Sequence, residues 1–120
     1  MKEIKILEEI IASKGKTLKE AGVNPTMFWA YHYSKEAGNE LIDFNEVIWD
    51  KDIVEIVKAC KEYGITEFTI STNMSSLIET LAEFEKHGCK MNGITRVYSR
   101  HINFITKEKD VIPAIKMVVM

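Results

Sequence analysis

Apolar residues near the amino end of the chain recur at helical spacing. Ile4, Leu7 and Ile10 lie three residues apart, and Gly15 follows as a stop signal. Residues 17–20 then have the spacing of a capping box, which predicts a short helical turn. The amino-terminal part of the chain is therefore expected to be helical.

A second helix is marked at both of its ends. Asn24 suits the N-cap position, and Pro25 suits the first helical position, because an amide hydrogen is not needed there. Gly38 follows Ala37 as a left-handed stop. These signals predict a helix over residues 25–37.

Short apolar runs alternate with helical patterns between residues 41 and 88. The predicted elements are, in order, strand pieces at 41–44 and 47–49, a helix capped by Asp50 or Asp52 and ended by Gly64, a strand at 67–71, and a helix from Ser76 to Lys86. Strand–helix–strand units of this kind favour parallel pairing.

The last third of the chain is rich in β-forming residues. It predicts a strand at 89–98 that is bulged at Gly93, a second at 102–106, and a third at 112–120 with Pro113 near its start. The order from residue 41 is then β-α-β-α-β-β-β, behind two amino-terminal helices. We predict an α/β (α+β) fold, with helices packed on a mixed β-sheet of about five strands.

Composition places this pattern in one globular domain, residues 1–120, with 46% hydrophobic and 28% charged residues. The chain has no run of 18 apolar residues, and its start mixes Lys with Glu, unlike a secretory signal. We therefore expect a cytoplasmic protein without a membrane span. In that compartment Cys60 and Cys89 are expected to be reduced, partly buried thiols.

Charge is unevenly distributed, although the net charge is only -2. Residues 35–55 carry seven acids against two lysines, which gives -5, and residues 86–120 carry seven bases against two acids, which gives +5. Each stretch is either an ordinary solvated face or the contact surface for a charged partner.

The loop after the predicted strand at 67–71 is a candidate anion site. It would bring hydroxyls and free amides to the carboxyl end of a strand and the amino end of a helix, where an anion is stabilised. The same residue types are also what a turn and an N-cap require, and no glycine-rich phosphate motif occurs. The candidate residues are Ser71, Thr72, Asn73, Ser75 and Ser76.

Signals for catalysis or metal binding are weak. His87, Cys89 and His101 do not have the spacing of usual zinc ligands. No motif joins a Ser or Cys nucleophile to a His, and the acids at 43–52 have the pattern of exposed turns. We predict no metal, no cofactor and no catalytic residue, and we favour a non-enzymatic protein.

Five aromatic rings crowd into residues 28–33. One helix face cannot hide all of them, so either the helix is sandwiched between neighbours or some rings stay exposed as anchors for a partner. The acidic neighbourhood would repel nucleic acid at this surface. The partner-binding candidates, aromatic anchors with acids that steer, are Trp29, Tyr33, Glu40, Asp43, Glu46, Trp49 and Asp50.

Three segments carry a resemblance: NPTMFWAYHYSKEAGNELIDFNEVIWDKDI, EFTISTNMSSLIETLAEFEKHGCKMNG and the carboxyl-terminal IPAIKM. Together they resemble a family of small proteins of unknown function that are carried on bacterial mobile elements. The resemblance covers nearly the whole chain and transfers no active residues. It implies a cargo protein that binds a host protein, as inhibitors of CRISPR nucleases and other defence antagonists do.

The leading hypothesis is thus a protein-binding module of a mobile element, with a host defence protein that handles nucleic acid as its partner. One alternative is a domain that binds a phosphate-bearing ligand at the 71–76 loop. Another, less favoured, is a regulator that binds nucleic acid through the basic meander at 96–109. An edge strand of that meander would also allow two copies to pair.

Overall fold

A computed structural model describes residues 4–12, 22–46, 48–72, 75–102 and 105–120. Its helices are α1 (Lys5–Ala12), α2 (Pro25–Ala37), α3 (Asp50–Tyr63) and α4 (Leu77–Lys86). Its strands are β1 (Asp43–Phe44), β2 (Glu67–Ile70), β3 (Cys89–Ile102) and β4 (Lys109–Val119). The predicted features at Gly15, 17–20, Val47 and Asn73 lie outside the described residues. None of the described helices is both long enough and apolar enough to cross a bilayer.

Both ends of α2 follow the local signals in the sequence. The Asn24 side chain accepts a hydrogen bond from the Met27 amide at 3.1 Å, and Pro25 begins the helix. Gly38 ends it in the left-handed region, at φ +84°, where glycine has little steric cost. The predicted second helix is confirmed.

The start of α3 differs from the prediction. Trp49 is the N-cap residue and makes no side-chain cap bond, whereas Asp50 and Asp52 lie in the first turn, where they complement the helix dipole. Asp52 is buried, and it accepts hydrogen bonds from Asn24 Nδ2 at 3.1 Å and Thr26 Oγ1 at 3.2 Å. The prediction that an aspartate caps α3 was therefore wrong, and Asp52 instead ties α3 to the start of α2.

The strands form one mixed sheet in the order β1-β2-β4-β3. β1 runs parallel to β2, and β4 is antiparallel to both of its neighbours. β2 and β3 therefore point the same way with β4 inserted between them, as in a split β-α-β unit. The predicted fold class and the mixed sheet are confirmed.

The described residues hold four strands, where the sequence predicted about five. Residues 89–102 form one long strand, so the predicted break after residue 98 is absent. Ile105 and Thr106, expected in a strand, lie in a turn. Ile48 and Trp49 were also expected in a strand, but they lie in the connection to α3. β3 is nevertheless irregular near the predicted break, because its register with β4 shifts between Tyr98 and Ile102.

A bulge and a proline shape the hairpin of β3 and β4. The register shifts between Met91 and Ile94, and Gly93 lies there at φ +80°, as the sequence predicted. β4 begins earlier than predicted, so Pro113 lies within it, opposite Arg96. That half of β4 extends beyond β2, so the missing amide hydrogen of Pro113 removes no bond to β2.

Each face of the sheet is covered over only part of its area. On one face, Phe68 lies opposite Met117 in the register and contacts Phe84 of α4, with ring centroids 5.3 Å apart. On the other face, Val97 and Ala114 are buried at the end of the hairpin where α2 contacts β3. The two packed regions therefore lie on opposite faces and at opposite ends of the hairpin.

Candidate functional site

The aromatic helix α2 buries some of its rings and exposes others. Phe28 and Tyr31 belong to the core, whereas Trp29 is 40% exposed. The Trp29 ring stacks on half-buried Tyr33, with centroids 5.7 Å apart and an angle of 26° between the planes. Phe28 meets the same indole edge-on at 5.0 Å. The helix is thus packed on one side and presents a stacked Trp–Tyr pair on the other.

Buried Tyr31 joins α2 to α1. Its hydroxyl donates to Glu8 Oε1 at 2.5 Å and accepts from the Ile4 amide at 3.3 Å. Lys35 contacts the same carboxylate. The hydrogen bond from Lys35, and to a smaller extent the one from Tyr31, lowers the pKa of Glu8. Burial, followed by the bond to Glu8, raises the pKa of Tyr31. These contacts fix the helix that carries Trp29.

Trp49 is more exposed than Trp29, at 63%. It lines a depression of about 590 Å³ between the amino ends of α3 and α4, together with the exposed carboxylates of Asp50 and Glu79. The full lining of this tryptophan depression is Ile48, Trp49, Asp50, Lys51, Ser76, Glu79 and Thr80.

Lys86, at the end of α4, is paired with Glu83. Its 2.9 Å hydrogen bond to Glu83, and more weakly the charge of Asp50, raises the pKa of Lys86.

Asp43 lies inside the protein, although the sequence placed it among the acids that steer a partner. It is 4% exposed, and its carboxylate accepts hydrogen bonds from Thr69 Oγ1 at 2.7 Å and Ser71 Oγ at 2.5 Å. Its backbone amide donates to Ser34 Oγ at 2.8 Å. A partner cannot reach a carboxylate held in this way, so Asp43 is a structural residue that joins β1, β2 and α2.

The other predicted contact residues divide between two elements and their flanks. Trp29 and Tyr33 lie on α2, Trp49 and Asp50 lie at the start of α3, and Glu40 and Glu46 are exposed on the connections before and after β1.

The predicted anion loop is partly committed to other contacts. Ser71 donates its hydroxyl hydrogen to Asp43 and accepts from Asn45 Nδ2 at 2.8 Å. Thr72 is buried, Ser75 and Ser76 are exposed, and Asn73 lies outside the described residues. Ser76 occupies the N-cap position of α4 as predicted, but its side chain makes no cap bond. The Asp43 carboxylate beside Ser71 would repel an anion bound to that hydroxyl.

An apolar surface on the hairpin was missed by the sequence reasoning. By strand alternation and register, one face carries Met91, Ile94, Arg96 and Tyr98 of β3 and Val111 and Pro113 of β4. We call these six residues the hairpin face. Ile94 is 69% exposed, Met91 60%, Val111 50% and Tyr98 45%. The available signal was the nearly continuous apolar run 111–119, because a strand that is apolar at successive positions is normally covered on both faces.

The cysteines are both free and buried. Burial, with a smaller contribution from nearby Cys89, raises the pKa of Cys60 to about 12, and burial also raises the pKa of Cys89. No three His, Cys, Asp or Glu side chains are arranged to hold a metal within the part of the chain that the structure describes. The side chain of His101, the third member of the zinc alternative, is outside that part.

A family model described as a domain of unknown function (DUF7698) matches residues 26–119. The chain belongs to that family. The expectation of a family without an assigned function is therefore confirmed. No curated protein and no solved structure matches the chain.

The matched range begins at the start of α2 and includes every later element of the sheet. It contains the tryptophan depression, the Trp29–Tyr33 stack and the hairpin face. Helix α1 precedes it, so the contacts of Tyr31 with Ile4 and Glu8 join the DUF7698 domain to a helix outside the matched range.

Proposed function

We propose that this protein acts by binding another protein and that Trp49 is the anchor of that contact. The supporting observation is that Trp49 is 63% exposed at the edge of a depression. Leaving an indole in water forgoes the free energy that its burial would provide. Tryptophan is also among the residues that most often dominate the binding free energy of an interface.

The stacked pair on α2 supplies a second aromatic contact. Tyr33 supports one side of the Trp29 ring, and Phe28 supports its edge. Rings that are already held in one orientation lose little side-chain entropy when a partner covers them. Trp29 is therefore expected to add to the contact, although less than the more exposed Trp49.

The charges around Trp49 favour a basic partner. Asp50 and Glu79 line the same depression, with Lys51 as the opposing charge, and Glu46 is exposed just before it in sequence. Carboxylates at the rim of an interface attract a positive surface and raise its association rate. A host protein with a basic nucleic-acid channel has such a surface. Our narrower proposal is an antagonist of a host defence protein of this type, carried by a bacterial mobile element.

Binding measurements with Trp49→Ala test the proposal. The full chain is immobilised, a partner is captured from host lysate and purified, and its dissociation constant is then measured. We expect Trp49→Ala to raise that constant about 30-fold, which corresponds to a hot spot of about 2 kcal/mol. The fold should survive, because the Trp49 side chain makes no cap bond and is largely exposed.

Ile78→Ala is the matched control, since Ile78 is an 81% exposed apolar residue on neighbouring α4 that does not line the depression. It should leave the dissociation constant nearly unchanged. Failure to capture a partner, or a partner that binds Trp49→Ala as tightly as the wild type, would count against the proposal.

The narrower proposal has its own measurement. Asp50→Asn combined with Glu79→Gln should slow association and weaken its dependence on salt. An unchanged association rate would rule out a basic partner surface but would leave the proposed role of Trp49 intact.

The two alternative functions stay predictions with less support from geometry. At the 71–76 loop, the Ser71 hydroxyl is bonded to Asp43 and Asn45. On the meander, Arg96 lies on the hairpin face and Lys107 in the connection between β3 and β4, while the side chains of Arg100 and Lys109 lie outside the described residues. Among the residues that the structure describes, neither arrangement brings positive charges together for a phosphate.

A further inference from the structure

The hairpin face is an apolar surface that the described chain leaves in water. Its four largest apolar residues are between 45% and 69% exposed, and the register places them on one side of β3 and β4. The opposite side of the same hairpin is packed, since Val97 is 7% and Ala114 3% exposed. Isolated apolar residues on a surface are ordinary, but a contiguous set on one sheet face marks an interaction site.

Charge limits what can cover this face. Between residues 91 and 98 and between 111 and 117, the only charged side chains are Arg96 and Lys116, and Lys116 lies on the opposite face with Glu67. A single arginine is too little positive charge for a nucleic acid or a strongly acidic protein. It is also too little to drive apart two copies of the same face. The occupant should therefore be apolar and nearly uncharged, as this face itself is.

The neighbouring edge of β3 is poorly suited to pairing with another strand. Asn39 Nδ2 donates to the Tyr98 carbonyl at 3.1 Å, and the Tyr98 amide donates to Asn39 Oδ1 at 2.7 Å, which closes the edge there. The Gly93 bulge interrupts it on the other side. Bulges and blocked backbone groups are how sheets prevent edge-to-edge association. A contact at this end of the molecule is therefore expected through the face and not through the edge.

We infer that a second copy of this chain covers the hairpin face, with the two faces packed against each other about a two-fold axis. A second copy is present wherever the protein is made, so it can cover this apolar surface without any other partner once the concentration exceeds the dissociation constant. At about 200 Å² for a large side chain, the exposed fractions give roughly 450 Å² of apolar surface per copy. Two copies with Arg96 and Pro113 included approach the roughly 1,000 Å² of a small specific interface.

Sedimentation equilibrium of the full chain over a dilution series tests this inference. We expect the mass to rise from the 13.8 kDa of one chain to twice that value, with a dissociation constant in the micromolar range. Val111→Glu should weaken the association at least tenfold, because it places a carboxylate in an apolar contact on both sides of the axis.

Val54→Glu is a closely matched control. Val54 is 51% exposed on α3 and Val111 is 50% exposed on the hairpin face, so the two variants make the same change at the same exposure. Val54→Glu should dimerise like the wild type. Ile94→Lys provides a second test on the hairpin face in case Val111→Glu does not fold, and circular dichroism checks the fold of each variant.

Three results would overturn the inference. The wild type could keep the mass of one chain up to its solubility limit, or the dimer could survive both Val111→Glu and Ile94→Lys. Alternatively, Val54→Glu could weaken the dimer as much as Val111→Glu does. The proposed function is tested separately, because Trp49→Ala should leave the dimer intact. Loss of partner capture with an unchanged dimer concerns the tryptophan depression alone.

Discussion

The network around Asp43 and the hairpin face reverse the usual placement of polar and apolar side chains. Asp43 is 4% exposed, although carboxylates are normally in water, and Ile94 is 69% exposed, although isoleucine is normally inside. The buried acid has partners within the chain, the Thr69 and Ser71 hydroxyls. The exposed isoleucine remains largely in water. A polar residue with internal partners serves the fold, whereas an uncovered apolar face is available for association.

Removal of the Asp43 carboxylate is expected to have the largest effect on the free energy of unfolding. Asp43→Ala leaves two hydroxyls without their acceptor in a buried site, so we expect the free energy of unfolding to fall by about 3 kcal/mol. Urea denaturation followed by circular dichroism measures the change. Asp43→Asn retains one acceptor oxygen and should cost less. Equal losses for the two variants, or a loss below about 0.5 kcal/mol for Asp43→Ala, would contradict a structural role.

Asn39 connects the two regions, because its side chain bonds to the Tyr98 backbone and its backbone amide donates at 3.0 Å to the carbonyl of Ser34. The Ser34 hydroxyl in turn accepts from the Asp43 amide. Removal of the Asn39 side chain should have an intermediate effect on stability. Asn39→Ala deletes both bonds to the Tyr98 backbone, and we expect a loss of about 1–2 kcal/mol in unfolding free energy. It also opens the edge of β3, so light scattering should detect more aggregation on concentration. Asn39→Asp is the control, because it keeps the acceptor for the Tyr98 amide. A variant as stable and as soluble as the wild type would show that the edge does not need this closure.

Loss of the exposed ion pair between Glu8 and Lys35 is expected to have the smallest effect on the free energy of unfolding. The pKa of Glu8 is lowered from 4.5 in the folded state, so its contribution to stability is present above that pH and is lost as the pH falls through the folded-state pKa. Glu8→Gln should therefore be slightly less stable than the wild type near neutral pH, with the difference shrinking below pH 4.5.

Thermal unfolding of the two proteins at several pH values measures this difference. Added salt should reduce it near neutral pH, because the pair is solvent-exposed. A difference that grows towards low pH would have the wrong sign and would reject this role for Glu8.

Features with a local cause could be predicted from the sequence, and those with a distant cause could not. Asn24, Pro25 and Gly38 define the ends of α2 within a single helical turn each, and Gly93 creates its own bulge. The burial of Asp43 depends on Thr69 and Ser71, which the sheet brings to it from far along the chain. Local chemistry does not reveal such partners.

The candidate surfaces show the same division. Exposure of Trp29 has a local cause, too many rings within residues 28–33, which the sequence displays directly. Exposure of Trp49 does not, because the sequence placed it in a strand and the structure places it in the connection before α3. The hairpin face depends on residues 89–98 pairing directly with β4, whose first half extends past β2. A prediction with a separate strand at 102–106 could not place Tyr98 opposite Val111.

The two buried cysteines allow the opening of the core to be measured by thiol labelling. Cys60 and Cys89 are both 0% exposed, and the raised pKa of each disfavours the thiolate that a maleimide or a disulfide reagent attacks. Labelling therefore requires the core between the sheet and helices α3 and α4 to open, and the labelling rate reports how often that happens. Because both native thiols are buried, a cysteine engineered on the surface would be the only fast-reacting thiol. Probes could then be attached at that site without first removing Cys60 and Cys89.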